Sequence, residues 1–256
     1  MASLLWHSAR EEWCWAPSFD RACLISADFG VRGKQSRTTG QENQPPLRVV
    51  HWNAEGIRNK KPELQEFMHR NQVDILCAQE MHLTDKHRFF MRGYEFFRHD
   101  RTTRHKRGVL TLVRNNLPAV ESNRSKDDSV EFISVKILLP TGELTVTNCY
   151  SAPNIKPQLE GIPIYSCSHL VVGDFNGHSQ SWGYRDFNNT GEAIEDWMVD
   201  NQLILISHPA DPLTCYSRAW QTTSTPDLAM ATGDIHKLTT RTVDKQLGGS
   251  DHLPVT

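Results

Sequence analysis

The sequence lacks several features that would assign it to other classes of protein. No run approaches the roughly 18 apolar residues that a membrane span needs, and the mean hydropathy is -0.53. The six cysteines form no CxxC pair and no spacing typical of a zinc site. The N-terminal segment lacks the apolar centre of a secretory signal, because the charged residues Arg-Glu-Glu already occur at positions 10–12. We therefore expect an intracellular, reduced protein without a membrane anchor.

An excess of positive charge is also missing. The chain has 28 Lys and Arg against 30 Asp and Glu, which gives a net charge of -2 and a pI near 6.6. Such a balance excludes a broad basic field, so a nucleic-acid contact would have to come from a local patch. One dense basic segment could supply it, through Arg98, Arg101, Arg104, Lys106 and Arg107. The alternative interpretation of this segment is a solvated loop between strands.

The 256 residues suffice for one large domain, or for one domain and a tail. Residues 1–46 show little periodicity and end in a polar stretch, so we predict an arm or linker there, with a disordered segment as the alternative, and a folded domain over residues 47–256. That domain alternates strand-like apolar runs with helical patterns. One helix follows Pro62, and Thr190 is predicted to cap a second. This alternation is typical of an α/β fold.

Polar side chains follow the apolar runs at the points where the predicted strands end. Asn53, Glu80, Tyr150 and Asp174 each come directly after such a run. Asn176 lies two residues beyond Asp174, so on an extended segment both side chains point the same way. Carboxylates and carboxamides without thiolates suit a hard cation such as Mg²⁺, or Mn²⁺ in its place. The sequence therefore predicts a metal-assisted site at the lip of a sheet.

Six segments in a fixed order carry a family resemblance. They are WNAEGIR (52–58), CAQE (77–80), NCY (148–150), GDFN (173–176), TPDLA (225–229) and SDH (250–252). Together they resemble the endonuclease/exonuclease/phosphatase superfamily over roughly residues 47–256. The stretches GDFNGHSQSWG and TTSTPDLAM look most like the endonuclease domain of jockey-type non-LTR retrotransposons.

The resemblance implies an α/β fold, a four-layered α/β sandwich with two mixed β-sheets packed face to face and flanked by helices. It also implies roles for the marked residues. Glu80 would be the main Mg²⁺ ligand, with Asn53 and Asp251 helping to hold the ion or its waters. Asp174, aided by Asn176, would orient the attacking water, and either Asp174 or His252 would take its proton. Tyr150 would hydrogen-bond the phosphate or the nucleophile, and His252 would contact the scissile phosphate with its ring fixed by Asp227.

The expected activity is Mg²⁺-dependent hydrolysis of DNA phosphodiester bonds, with DNA as partner and the nucleus as the place of action. One alternative is a phosphohydrolase of the same fold that acts on RNA or on inositol or lipid phosphates. Another is a truncated, inactive remnant, since the sequence stops at Thr256 directly after SDHLPV and no reverse transcriptase segment follows.

Overall fold

The computed structural model describes residues 45–100, 107–126, 129–153, 155–164, 168–218 and 221–256. Nearly all of the predicted arm lies outside these ranges, as do Arg101, Arg104 and Lys106. Pro45–Thr256 forms one compact unit. No helix among the described residues is long and apolar enough to cross a membrane.

The first sheet has four strands in the order β1-β2-β4-β3. Their bounds are β1 Val49–Asn53, β2 Ile75–Gln79, β3 Tyr94–His99 and β4 Val109–Arg114. β1 and β2 are parallel, while β2–β4 and β3–β4 are antiparallel. The parallel pair needs a crossover, which helix α1, Lys61–Arg70, provides. Pro62 lies in its first turn, and Leu64 and Met68 form its buried face.

The second sheet has six strands in the order β5-β6-β7-β8-β12-β9. Their bounds are β5 Ala119–Arg124, β6 Val130–Leu139, β7 Gly142–Ser151, β8 His169–Asp174, β9 Ile204–Leu205 and β12 Asp227–Ala231. Here β7 and β8 form a parallel pair between antiparallel neighbours. Helix α2, Asn189–Asp200, connects β8 to β9. Strands β10, Cys215–Ser217, and β11, Thr222–Ser224, form a separate ribbon, and helix α3 spans Gly233–His236.

Three buried clusters fill the spaces between four layers. The first packs α1 against one face of the four-stranded sheet, through residues such as Trp52, Leu64 and Leu76. The second lies between the two sheets and includes Ile75, Val113, Ile133, Val146 and Val172. The third packs α2 against the outer face of the six-stranded sheet, with Phe132, Ile194 and Trp197 among its members. The predicted four-layered α/β sandwich is confirmed.

A polar contact crosses the space between the sheets. Gln79, at the end of β2, donates its amide to Oδ1 of Asn148 on β7 at 2.7 Å. The Asn148 amide in turn donates to the carbonyls of Ala78 and Leu110. Both side chains are completely buried. The pairing gives both amide NH2 groups and Oδ1 of Asn148 hydrogen-bond partners, while Oε1 of Gln79 has none among the described residues.

Two local expectations need correction. The cap of α2 is Asn188 rather than Thr190, because Oδ1 of Asn188 accepts the Gly191 amide at 2.8 Å while Thr190 already lies inside the helix. The basic segment also begins within a strand, since Arg98 and His99 pair with β4. Strand β3 is partly exposed, so its sequence lacks the buried alternation that reveals the other strands.

Candidate active site

The predicted strand-end residues meet at one end of the sandwich. In the four-stranded sheet, Asn53 is the register partner of Gln79, and Glu80 follows directly. In the six-stranded sheet, Tyr150 is the partner of Asp174, and Asp174 also faces Asp227. The carboxyl ends of both parallel pairs therefore point to the same edge, where open α/β sheets hold their sites.

Gly173, in the GDFN segment, is required by the close approach of β8 to β7. A Cβ atom on Gly173 would lie 1.9 Å from the carbonyl oxygen of Cys149. No side chain can occupy that space unless the strands separate. The glycine thus allows the parallel pairing that carries Asp174 to the level of Tyr150.

Asn53 joins the two sheets at the site through a single amide group. Its Nδ2 atom donates to Oδ2 of Asp174 at 2.7 Å and to Oε1 of Glu80 at 3.2 Å. The hydroxyl of Tyr150 donates to the same Glu80 oxygen at 2.8 Å. Since Asn53 and Glu80 come from one sheet and Asp174 and Tyr150 from the other, these bonds fix the relative positions of all four side chains.

His252 and Asp227 form the second half of the site. Nδ1 of His252 lies 2.9 Å from Oδ2 of Asp227, and its Nε2 lies 4.0 Å from Oδ2 of Asp174. Asp227 is 1% exposed, and the hydroxyl of Thr214 donates to its Oδ2 at 2.6 Å. The carboxylate fixes the orientation of the ring, so that Nε2 is directed toward Asp174.

Burial and neighbouring charges shift the pKa values of these groups in opposite directions. Burial raises the pKa of Asp174 to about 7, with the charge on Asp227 adding to the effect and His252 opposing it. Burial alone would raise the pKa of Asp227, but the positive His252 ring holds it below its ordinary value. The pKa of His252 is raised because Asp227 outweighs the effect of burial. The pair of His252 and Asp227 is therefore ionised at neutral pH, while Asp174 can exchange a proton there.

The other two site carboxylates have different surroundings. The pKa of Glu80 is lowered, because hydrogen bonds from His82, Tyr150 and Asn53 outweigh the effect of burial. Asp251 forms an ion pair with Arg218, whose guanidinium also lies 3.3 Å from Oε2 of Glu55. Asp251 therefore stands at the rim of the site, beside His252 but apart from the bonds that join Glu80 to Asp174.

Asn176 turns the chain away from the site after β8. Its φ of 48° lies in the left-handed region, which Asn tolerates better than most residues. Its amide N–H donates to Asp174 at 3.2 Å, and its side chain donates to the carbonyl of Ser151 at 3.0 Å. The residue thus holds Asp174 from behind and leaves the front of that carboxylate to face His252.

Two groups of candidate ligands at the site could hold a divalent cation. Glu80 offers a carboxylate, a ligand type that Mg²⁺ prefers. Asn53 can add its carboxamide oxygen only if the amide rotates, because Nδ2 faces Glu80 and Oδ1 accepts the Glu55 N–H at 3.1 Å. Asp174, Asp227 and His252 also bring ligand atoms within 4.8 Å of one another. No cysteine lies among these candidate ligands, so the ligands around Glu80 fit a hard cation better than zinc.

The structure places the described basic residues differently from the prediction. The guanidinium of Arg98 is used in internal bonds to Asp100 and to the carbonyls of His87 and Thr84. Arg107, in contrast, lies beside the site and pairs with the buried Glu131.

Sequence reasoning missed two residues that hold this site together. Thr214 supports Asp227, and Arg218 holds Asp251. Neither follows an apolar run, and each meets its partner only through the fold. Nothing in the local sequence marks them.

Comparison with known proteins identifies one matching family model and several sequence relatives. A family model described as "Endonuclease-reverse transcriptase" matches residues 144–256. The chain is 28% identical over 218 residues to the probable RNA-directed DNA polymerase from transposon BS of Drosophila melanogaster, covering 82% of this chain and 24% of that protein. It is 20% identical to the RNA-directed DNA polymerase from mobile element jockey of Drosophila funebris, covering 83% and 24%. The chain thus spans about a quarter of the length of these relatives.

A solved structure shows the same fold. The endonuclease domain of TRAS1, a telomere-specific non-LTR retrotransposon, superposes with a TM-score of 0.67 at 18% identity, covering 82% of this chain and 96% of that one. The relatives and this structure together confirm the resemblance drawn from the sequence motifs.

Proposed function

The chain resembles the endonuclease/exonuclease/phosphatase superfamily and its jockey-type retrotransposon members, and from this premise we propose that it is a Mg²⁺-dependent endonuclease that hydrolyses DNA phosphodiester bonds. The matching family model is described as endonuclease-reverse transcriptase, the sequence relatives are named as RNA-directed DNA polymerases, and a retrotransposon endonuclease domain has the same fold. By this proposal the chain nicks a DNA target for a polymerase to extend.

The single observation that carries the proposal is the pairing of a buried carboxylate, Asp174, with a partly buried imidazole, His252, across a gap. Asp174 and His252 face each other at 4.0 Å, each held from behind by its own partners. At 4.0 Å the two groups are too far apart to share a hydrogen bond. Because Asp174 exchanges a proton near neutral pH and His252 is positively charged there, the gap between them suits the handling of a water and a phosphate.

In the proposed reaction, Asp174 orients the attacking water and takes its proton, with Asn176 holding the carboxylate. The pKa near 7 keeps Asp174 able to accept a proton at neutral pH. His252, ionised by Asp227, offers Nε2 to the scissile phosphate and stabilises the charge that develops there. Tyr150 donates its hydroxyl toward the same phosphate or the nucleophile.

Glu80, Asn53 and Asp251 would hold the Mg²⁺ ion. When bound, the ion would neutralise phosphate charge and stabilise the leaving oxygen. Asp251 can join the ligand set only if Arg218 releases it, because the two side chains are paired in the structure.

A plasmid-nicking assay tests the proposal. Wild type with Mg²⁺ should convert supercoiled plasmid to relaxed circles, and EDTA should abolish the conversion. Glu80→Ala should leave the plasmid supercoiled, because the main proposed metal ligand is lost. Glu95→Ala provides the control, since Glu95 is an exposed carboxylate on β3. Supercoil that survives with the wild type while RNA or an inositol phosphate is hydrolysed would favour the other phosphohydrolases of this fold.

A further inference from the structure

A buried carboxylate outside the proposed machinery anchors the end of the basic segment. The side chain of Glu131, on β6, is 2% exposed. Its Oε2 atom accepts the amide N–H of Gly108 at 2.7 Å, and its Oε1 atom lies 3.9 Å from NH1 of Arg107. A buried carboxylate is stable only when hydrogen bonds and opposite charge compensate it. Both compensating groups come from the two residues that lead into β4.

Arg107 lies against the strand end that carries Glu80. The backbone carbonyls of Arg107 and Gly108 accept the amides of His82 and Met81, each at 3.2 Å. Glu80 is the residue just before this pair of bonds. The side chain of Arg107 is 11% exposed, so its guanidinium is held in place rather than free in solvent.

Tyr150, on the six-stranded sheet, links the surroundings of Arg107 to the site. It is the direct cross-strand partner of Glu131 in the β6–β7 register, and directly opposite residues of an antiparallel pair share one face of the sheet. The Tyr150 hydroxyl contacts Glu80. Arg107 is therefore enclosed by Glu131, by the segment after Glu80 and by the face that bears Tyr150.

We propose that Arg107 is a phosphate-binding residue of this site and that Glu131 is the positioning residue that aims it. The inference rests on the proposed function, and it assigns the Arg107 guanidinium to contact the scissile phosphate from the side of Tyr150. A guanidinium suits this task because its planar fork can donate two parallel hydrogen bonds to phosphate oxygens.

The direction in which neutralisation of Glu131 changes DNA binding distinguishes a positioning role from a purely electrostatic one. Removal of one negative charge near a DNA-binding face should, by Coulomb's law alone, strengthen DNA binding. If Glu131 aims Arg107, its neutralisation should instead weaken binding. Glu131→Gln is suited to this test, because the amide oxygen can still accept the Gly108 N–H.

Binding is measured with a labelled short DNA duplex in EDTA over about 50 to 200 mM salt, and nicking with plasmid and Mg²⁺. Arg107→Ala should lower kcat/KM for nicking about tenfold and reduce the salt slope of binding by about one. Glu131→Gln should weaken binding several-fold in the wild-type background and have no effect in the Arg107→Ala background. Arg92→Ala is the control for loss of an exposed arginine. Far-UV circular dichroism and thermal unfolding show whether each variant is folded.

The outcomes separate the two proposals. Tighter binding by Glu131→Gln, or an Arg107→Ala variant that nicks and binds like the wild type, overturns the inference. Additive effects of the two substitutions also overturn it, because Glu131 would then act independently of Arg107. If the wild type does not nick plasmid, the proposed function fails, while the binding measurements still decide how Glu131 and Arg107 are coupled. If Glu131→Gln does not fold, Arg107→Lys tests the inference instead. This variant keeps the positive charge but lacks the planar guanidinium, and it should retain less than half of the wild-type kcat/KM.

Discussion

Acidification from pH 7 to pH 5 should destabilise the protein through His169, a buried ring at the start of β8. Nε2 of His169 lies 2.8 Å from the hydroxyl of Thr147, and its Nδ1 atom has no hydrogen-bond partner among the described residues. Burial lowers the pKa of His169 from 6.5 to about 4. The fold therefore holds this ring neutral over a pH range in which the unfolded chain binds a proton.

The direction and size of the effect follow from proton linkage. Between pH 6.5 and pH 4 the unfolded state binds more protons at this position than the folded state, so stability falls as pH falls. With pKa values of 6.5 and about 4, His169 alone lowers the free energy of unfolding by about 2 kcal/mol between pH 7 and pH 5. The full loss, reached below pH 4, is about 3 kcal/mol.

Urea unfolding, followed by tryptophan fluorescence in EDTA at pH 7, 6 and 5, measures this loss. His169→Gln keeps a polar atom near Thr147 but cannot titrate, so its loss between pH 7 and pH 5 should be about 2 kcal/mol smaller than that of the wild type. With an m value of about 2 to 3 kcal/mol/M, this difference is a midpoint change of about 0.7 to 1 M urea. Comparing the two proteins removes the contributions of other titrating groups.

His69→Gln is the control, because this histidine is exposed on α1. Its pH dependence should match that of the wild type. If His169→Gln loses as much stability as the wild type between pH 7 and pH 5, the ring is not held neutral by the fold and the reasoning is refuted.

Two further substitutions test the scaffold of the site. Gly173→Ala should lower the free energy of unfolding, measured in urea, by about 3 kcal/mol, because its Cβ would overlap the Cys149 carbonyl. The control is Gly161→Ala, whose Cβ would meet no atom within 4 Å; it should change the free energy of unfolding by less than about 0.5 kcal/mol, and equal effects of the two substitutions would contradict the close-approach argument. Thr214→Val should slow plasmid nicking about tenfold by removing a hydrogen bond to the charged Asp227, whereas Thr214→Ser should nick like the wild type; equal rates for all three proteins would show that Thr214 does not support the site.

The positions of the site residues could be predicted because each strand end has a local signature. Asn53, Glu80, Tyr150 and Asp174 follow apolar runs, and the fold brings those run ends to one edge. The connection through the Asn53 amide could not be predicted, since it joins residues 121 positions apart. Long-range contacts of this kind depend on the packing of the two sheets, which leaves no periodic trace in the sequence.

Elements with exposed faces were harder to predict than buried ones. Strand β5, Ala119–Arg124, alternates between half-buried and exposed residues at the edge of its sheet, and it has few apolar side chains to mark it. The pairing of Asp251 with Arg218 likewise depends on the position of the ribbon formed by β10 and β11. Arg218 lies in the turn after β10, a segment whose place in the fold no motif defines.

The buried Gln79–Asn148 contact has a consequence for how the protein tolerates substitutions between its sheets. Apolar side chains can repack in more than one arrangement, whereas a buried amide pair keeps its hydrogen bonds in only one alignment. Gln79 directly precedes Glu80, and Asn148 lies two residues before Tyr150, so a slip between the sheets would separate the Tyr150 hydroxyl from Glu80. We expect the apolar residues between the sheets to accept exchange by others of similar volume as long as this amide pair remains. The alignment of the site would then be inherited from the interior of the sandwich, and the surface loops would be free to diverge.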